Sequence, residues 1–196
     1  MTKKRIIGID PGTNVMGYAI IDVEGNSAKA VLLGTVQMSK EPDHYARLHR
    51  IHTRLDIIID DFKPDEMAIE APFFGKNVQS MLKLGRAQGI CMASALARGI
   101  PVKEYAPTKV KQAITGNGGA TKEQVAQMLQ RMLHFEEMPK YFDATDALAI
   151  AYCHFLDSRT ASLLNTDDSH KIKIPKSGKK TTWADFVKNN PDRIKR

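Results

Sequence analysis

Residues 5–13 read Arg-Ile-Ile-Gly-Ile-Asp-Pro-Gly-Thr, an apolar run that ends in one carboxylate and a Pro-Gly turn. Such a run before a turn predicts a buried β-strand. We therefore expect Asp10 at the exposed carboxyl-terminal tip of that strand. An ordinary turn explains these residues equally well, so the role of Asp10 depends on what the rest of the chain brings beside it.

The composition is that of one ordinary globular domain. Its 196 residues, 42% of them hydrophobic, are enough to bury a sizeable core. Cys91 and Cys153 lie in apolar helical patterns without paired metal-type spacing, which predicts reduced, inert thiols. The first residues lead directly into a strand and contain neither a signal-peptide core nor a membrane span. We expect a soluble, cytoplasmic protein.

Basic charge is concentrated at the carboxyl-terminal end. The chain carries a formal net charge of +7, and residues 171–196 alone hold nine Lys and Arg against two Asp, so residues 1–170 are balanced. An excess of basic residues suggests that a protein binds nucleic acid, and in this chain the excess lies in the tail. Past Ser158 the apolar pattern gives way to polar residues, interrupted by one amphipathic turn at Trp183, Phe186 and Val187. We predict a globular domain at 1–158 and a flexible basic tail at 159–196.

The order of predicted elements gives the fold class. Strands at 5–10, 14–23 and 28–38 form an antiparallel meander, and alternating helices and strands follow. The predicted helices are 43–62, 77–98, 108–116, one that opens with a capping box at Thr121-Lys122-Glu123-Gln124, and one from Asp143 to about Leu156; the remaining strands are 66–70 and 102–105. This order predicts an α/β protein with a mixed five-stranded sheet flanked by helices.

Four acids fall where these elements should converge. Asp10 and Glu70 each end a strand, and parallel pairing of the two strands places both at one sheet edge. Asp143 and Asp146 are three residues apart on one helix face. Clustered carboxylates repel each other unless a cation joins them. Two Mg²⁺ ions about 3.5–4 Å apart can activate water and stabilise the leaving oxygen of a phosphodiester, so we predict a metal site here.

Several motifs together resemble the RuvC family of bacterial Holliday-junction resolvases over about residues 5–157. They are Ile7-Gly8-Ile9-Asp10-Pro11-Gly12-Thr13, Ala68-Ile69-Glu70 with Phe73 and Lys76-Asn77, Leu82-Lys83-Leu84-Gly85, and Asp143-Ala144-Thr145-Asp146-Ala147-Leu148-Ala149-Ile150-Ala151. The resemblance implies an RNase H-like fold and a homodimer that acts in recombination and repair. Its two active sites would nick opposed strands of a four-way DNA junction, leaving 5′-phosphate and 3′-hydroxyl ends.

The resemblance also implies the site and the partners. It makes Asp10, Glu70, Asp143 and Asp146 the catalytic, metal-binding acids of a site with two Mg²⁺, for which Mn²⁺ is an expected substitute. The family's DNA-contacting aromatic falls on Phe73 and its two lysines on Lys111 and Lys122. The RuvA–RuvB branch-migration complex is the expected partner, at the nucleoid.

Further DNA contacts are predicted around the same edge. An aromatic beside cations can stack on an unpaired base, and lysines or arginines at helical spacing can follow phosphates. The candidates are Phe73, Phe74, Lys76, Asn77, Lys83, Arg86, Lys111 and Lys122, with Lys103 and Lys109 as possible members of the same groove. His154 lies about two turns beyond Asp146 and is interpreted as a core or interface histidine.

Three other classes of protein share parts of this sequence pattern. ATP-binding sugar-kinase and actin-like proteins share the Asp-Pro-Gly-Thr opening, but they need a second lobe and a later Gly-rich loop that this chain lacks. An RNase H-like nuclease of similar size that cleaves RNA or RNA–DNA hybrids is a closer alternative. A junction-binding protein without catalysis is disfavoured because all four acids are present.

Overall fold

The structure is a computed structural model that describes residues 3–72, 77–133, 135, 139 and 141–166. Several predictions lie outside these residues. They are the DNA contacts Phe73, Phe74 and Lys76, the basic tail at 171–196, and the amphipathic turn at Trp183, Phe186 and Val187. These stay predictions.

The observed elements follow the predicted order closely. They are β1 (Lys3–Asp10), β2 (Val15–Glu24), β3 (Ser27–Gln37), α1 (His44–Phe62), β4 (Glu66–Glu70), α2 (Val78–Leu96), β5 (Val102–Tyr105), α3 (Pro107–Thr115), α4 (Lys122–Leu133) and α5 (Phe142–Thr166). None of the described helices is both long and apolar enough to cross a membrane.

The five strands form one mixed sheet in the order β3-β2-β1-β4-β5. β1 pairs antiparallel with β2, and β2 with β3, whereas β1 with β4 and β4 with β5 are parallel. The fold is therefore the predicted RNase H-like α/β sheet, three antiparallel strands extended by β-α-β crossovers.

Helices cover both faces of the sheet, because successive strand residues point to opposite sides. Ile7 and Ile69 face the side covered by α1 and α2, where they pack in one buried cluster with Leu55 and Cys91. Ile6, Ala68 and their neighbours face α3, α4 and α5 in a second cluster. Two separate cores thus fix the sheet between two helical layers.

Local signals explain the helix ends. Asp43 caps α1 by accepting a hydrogen bond from the Ala46 N–H at 2.8 Å. Lys63, in the left-handed conformation at φ 47°, ends α1 just before Pro64. The predicted capping box of α4 is confirmed, since the Thr121 N–H donates to Gln124 Oε1 at 2.9 Å and the Gln124 N–H to Thr121 Oγ1 at 3.3 Å.

One predicted boundary is wrong. α5 was expected to end near Leu156, with the tail beginning at 159, but the helix continues to Thr166. Neither Pro nor Gly interrupts residues 157–166, and the Thr160 hydroxyl bonds back to the Leu156 carbonyl at 3.0 Å. The helical hydrogen bonds thus continue along the chain beyond the last residues of the apolar pattern. Residues 1–161 form one compact unit, and the division into domain and tail stays a prediction.

Candidate active site

Asp10 and Glu70 end the two central parallel strands. Ile9 is paired with Ile69 in the β1–β4 register, so the residues that follow them lie side by side at the same sheet edge. Alternation along each strand places both carboxylates on the α5 side of the sheet, the side on which Ile6 and Ala68 are buried. The predicted convergence of these two acids is confirmed.

Glycines in β1 and β2 let α5 bring its acids to this edge. A Cβ atom on Gly8 would lie 2.1 Å from the Ala147 carbonyl oxygen, and one on Gly17 would lie 1.9 Å from the Asp143 carbonyl oxygen. Neither distance is possible, so only glycine allows the helix to cross these strands so closely. The helix begins at Phe142, one residue before the predicted start, so Asp143 lies inside its first turn.

Three of the four acids line one cavity of about 220 Å³, which we call the acidic pocket. Asp143 is not among its lining residues, although its charge raises the pKa of both Asp10 and Asp146. The polar lining consists of Asp10, Glu70, Asp146, Lys111 and Lys122, and the apolar lining of Pro107, Val110, Val125, Ala149 and Ile150.

The carboxylates of the acidic pocket are poorly compensated. Burial raises the pKa of Asp10 to about 8, and the charges of Glu70 and Asp146 add to the effect. Burial, followed by the charge of Asp146, also raises the pKa of Glu70. The pKa of Asp146 is raised by burial even though Lys122 opposes the shift. A site that holds three carboxylates above their usual pKa favours a bound cation.

Lysines from two other helices complete the acidic pocket. Lys122, the first residue of α4, forms an ion pair with Asp146, and Lys111 of α3 lies in the pocket wall. The structure thus brings both lysines implied by the resemblance to the predicted acids. Their separation along the chain from β1 and β4 means that only the tertiary fold makes them neighbours.

The donor set fits a divalent metal, although the site is not closed around one. In the described part of the chain, no three His, Cys, Asp or Glu side chains are gathered as a ready-made metal centre. Carboxylate oxygens are the ligands that hard cations such as Mg²⁺ prefer. The raised pKa of Asp10 shows that its charged form is disfavoured in the pocket, and a bound cation would stabilise that form.

The other predicted DNA contacts that the structure describes lie at the start of α2 or within it. Asn77 caps this helix by accepting a hydrogen bond from the Ser80 N–H at 3.0 Å, a role that the sequence reading did not assign to it. Lys83 and Arg86 are exposed, and no ion pair to either is found among the described residues. Their contact with DNA stays a prediction.

Sequence reasoning missed two residues that support the site. Arg47 of α1 holds the turn after Asp10, donating from Nη1 to the Asn14 side chain at 2.5 Å and to the Thr13 carbonyl at 3.2 Å. Gln88 of α2 is only 5% exposed and donates to the Glu70 carbonyl. A glutamine within the apolar stripe of α2 was the one signal in the sequence that could have identified it.

A second polar cluster lies farther along α5, and we call it the Asp157 network. The Tyr105 hydroxyl is 2.7 Å from His154 Nδ1 and 3.2 Å from Asp157, and His154 Nε2 is 2.6 Å from Glu66. The prediction that His154 belongs to the core is confirmed, because it is 6% exposed. The lysines of the network are Lys4, paired with Glu66, and Lys103 and Lys109, paired with Asp157.

These pairs change the interpretation of two lysines. Lys103 and Lys109 were considered for a phosphate groove, but each binds Asp157, at 2.5 Å and 2.8 Å. A larger depression of about 680 Å³ at the other end of β1 is lined by Lys3, Asp22 and neighbouring residues. Asp22 is neutralised there by Arg5 and Lys3, so that depression lacks the uncompensated charge of the acidic pocket.

Fold and site together define a class, an RNase H-like domain with a carboxylate pocket at the ends of its central parallel strands. A family model described as crossover junction endodeoxyribonuclease RuvC matches residues 6–154. The protein of that name from Bacteroides fragilis is 54% identical over 98% of this chain and 97% of its own length. The one from Porphyromonas gingivalis is 54% identical over 98% of each.

Solved structures agree with the family match. Thermus thermophilus RuvC in complex with Holliday junction substrate is 34% identical, with a TM-score of 0.75 over 81% of this chain and 97% of that chain. The yeast mitochondrial Holliday junction resolvase, 12% identical with a TM-score of 0.58, shares the fold. The chain belongs to the RuvC family of crossover junction endodeoxyribonucleases, which are metal-dependent nucleases.

Proposed function

We propose that the chain is a structure-selective endonuclease that resolves four-way DNA junctions by paired nicks, leaving 5′-phosphate and 3′-hydroxyl ends. The observation that carries this proposal is the acidic pocket, in which Asp10, Glu70 and Asp146 meet with raised pKa values. Membership of the RuvC family supports the choice of substrate, as does the likeness to a relative described in complex with a Holliday junction substrate.

Asp10, Glu70, Asp143 and Asp146 would hold two Mg²⁺, with Mn²⁺ as a substitute. When bound, such ions activate a water for attack on the phosphodiester and stabilise the leaving 3′-oxygen. The charges of both other pocket acids, Glu70 and Asp146, act on Asp10, so Asp10 would serve as the central ligand. Because burial raises the pKa of Asp10 to about 8, a bound metal ion would compete with its proton.

Lys122 and Lys111 would bind the phosphates of the strand being cut. Lys122 neutralises Asp146 in the protein alone. Its ammonium group is free to turn to a DNA phosphate once Asp146 serves as a ligand. Lys111 stands in the same pocket wall. Both lysines therefore keep a negatively charged strand beside carboxylates that would otherwise repel it.

The remaining proposed contacts belong to the segment that follows Glu70 in the sequence and to α2. Phe73 and Phe74 would stack on unpaired bases at the junction centre. The polar contacts would be Lys76, Asn77, Lys83 and Arg86. The exposure of Lys83 and Arg86 supports this assignment.

A second copy of the chain would pack on α2. Val78, Leu82 and Leu96 are 63%, 52% and 58% exposed on one helix face. Gly85 and Gly89 lie on that face too, and a Cβ atom on either would meet nothing within 4 Å. An apolar strip with two glycines lets another helix approach closely. The homodimer would present two acidic pockets to two opposed strands.

The family alone is the basis for two further proposals. The chain would dock to the RuvA–RuvB complex, and it would do so at the nucleoid in the cytoplasm.

The test is cleavage of a synthetic mobile four-way junction with and without Mg²⁺, with each strand labelled in turn. We expect symmetric nicks in two opposed strands, only with the metal. A linear DNA duplex and an RNA–DNA hybrid of matched sequence serve as controls and should stay intact. Preferential cleavage of the hybrid would instead identify an RNase H-type activity, and tight junction binding without cleavage would identify a binding protein.

A further inference from the structure

The carbonyl end of β4 is held by a buried side chain from the opposite helical layer. Gln88 of α2 is 5% exposed, and its Nε2 donates to the Glu70 carbonyl oxygen at 3.1 Å. The same Nε2 donates to Glu104 Oε1 on β5 at 2.5 Å. One amide group thus connects α2, the end of β4 and the neighbouring strand β5.

The peptide between Glu70 and Ala71 is fixed on both sides by these contacts. Its carbonyl accepts from Gln88, and its N–H donates to the Tyr105 carbonyl oxygen at 2.9 Å. The orientation of this peptide sets ψ of Glu70, and with it the backbone from which the Glu70 carboxylate enters the acidic pocket. Glu104 in turn keeps the Gln88 amide in place through a charge-assisted hydrogen bond.

We propose that Gln88 is a positioning residue for the metal site, acting through the Glu70–Ala71 peptide on the direction of the Glu70 carboxylate. The inference rests on the proposed function, in that it takes Glu70 as a metal ligand. Replacing a residue that orients a metal ligand without contacting the metal typically lowers metal affinity or activity about 10–100-fold. A purely structural role for Gln88 would lower stability and leave the metal affinity of the folded protein unchanged.

The main test compares two replacements of Gln88. Gln88→Met keeps the length and shape of the side chain but cannot donate, whereas Gln88→Lys keeps a donor that suits the Glu104 carboxylate. Gln79→Met, on the exposed surface of the same helix, is the matched control. Binding of Mn²⁺ to the full chain without DNA is measured by calorimetry, and cleavage of the junction is measured in single turnover across a Mg²⁺ series.

We expect Gln88→Met to weaken Mn²⁺ binding about tenfold or more, and to raise the Mg²⁺ concentration for half-maximal cleavage by a similar factor. Gln88→Lys should recover most of this loss, and Gln79→Met should match the wild type. Junction affinity in a chelator should be unchanged in all three variants. Wild-type Mn²⁺ affinity in a folded Gln88→Met protein would overturn the proposal.

A second variant decides the question if Gln88→Met does not fold. Glu104→Leu retains Gln88 itself but removes the carboxylate that holds the Gln88 amide. It should weaken Mn²⁺ binding by less than the roughly tenfold expected for full loss of the donor, and an unchanged affinity would refute the role of Gln88. If the wild type binds Mn²⁺ in a Gln88-dependent manner but cuts no junction, the positioning role stands and the proposed function fails.

Discussion

Two clusters of carboxylates and lysines lie along α5, and they differ in charge balance. In the Asp157 network each acid has a cation: hydrogen bonds from Lys103 and Lys109 hold the pKa of Asp157 well below its usual range. Burial alone would raise the pKa of Glu66, but the hydrogen bonds and charges of Lys4 and His154 outweigh the effect of burial. The net result is a pKa below its usual value. In the acidic pocket the pKa values of Asp10, Glu70 and Asp146 are all raised.

The difference separates a structural cluster from a functional one built from the same residue types. The Asp157 network satisfies its own groups: burial lowers the pKa of His154, so the neutral ring donates from Nε2 to Glu66 and accepts the Tyr105 hydroxyl at Nδ1. The acidic pocket leaves its carboxylates short of positive charge, which lowers stability in the absence of a ligand. Uncompensated charge, rather than the number of acids, indicates where a cation and DNA would bind.

Exchange of one carboxylate in each cluster gives the largest expected contrast. Asp10→Asn should reduce junction cleavage in Mg²⁺ at least about 10³-fold, because several kcal/mol of transition-state stabilisation depend on the metal. Asp157→Asn should cleave within a few-fold of the wild type. Single-turnover cleavage measures both, and junction binding in a chelator shows that Asp10→Asn still recognises DNA. If Asp10→Asn kept a tenth of the wild-type rate, Asp10 would not be an essential metal ligand.

The next largest effect concerns the stability provided by the Asp157 network. Tyr105→Phe removes the hydroxyl that satisfies His154 Nδ1. An unsatisfied buried polar atom costs about 1–3 kcal/mol, so the free energy of unfolding in urea should fall by that amount. Tyr45→Phe is the matched control, since Tyr45 is 75% exposed. Cleavage by folded Tyr105→Phe protein should be unchanged, and a large loss of activity would place the network in the catalytic machinery.

The two clusters should respond to pH with opposite signs in metal-free protein. The pKa of Asp10 rises from its ordinary 3.8 to about 8 on folding, so the native state binds more protons and stability falls as pH rises between these values. The pKa of Asp157 falls on folding, so its contribution is present above its ordinary pKa and is lost as pH drops.

Urea unfolding at pH 5 and pH 8 should therefore separate two Asp→Asn variants, with the metal removed by a chelator. At pH 8, Asp10→Asn should be more stable than the wild type by at least about 1 kcal/mol, the equivalent of one pKa unit. Asp157→Asn should be less stable than the wild type at pH 8, and the deficit should shrink on acidification. Parallel pH profiles of the two variants would show that the clusters do not differ in charge balance.

Sequence alone predicted what short-range signals and strand topology determine. The capping box at Thr121 is a local pattern, and the mixed sheet follows from antiparallel strands joined to β-α-β units. The same topology predicted that Asp10 and Glu70 would be neighbours. The end of α5 was missed because the apolar pattern fades before the helix does.

The pairing of individual charges could not be predicted. Nothing local distinguishes Lys122, which meets Asp146, from Lys103 and Lys109, which meet Asp157. Each pair joins side chains from different elements, and the partner is decided by how α3, α4 and β5 pack against α5. The contact of Gln88 with the Glu70 carbonyl has the same origin.

The smallest predicted effect tests whether this pairing decides which lysines bind DNA. Lys111 lines the acidic pocket, and Lys109, two residues earlier on α3, is held by Asp157. One lost phosphate contact lowers the slope of log affinity against log salt by about 0.9. Fluorescence anisotropy of a labelled junction in a chelator, from about 50 to about 200 mM salt, should show that decrease for Lys111→Gln. Lys109→Gln should keep the wild-type slope, because its charge is already used by Asp157. An equal decrease in both variants would mean that Lys109 leaves Asp157 when DNA binds, and the Asp157 network would then belong to the DNA-binding surface.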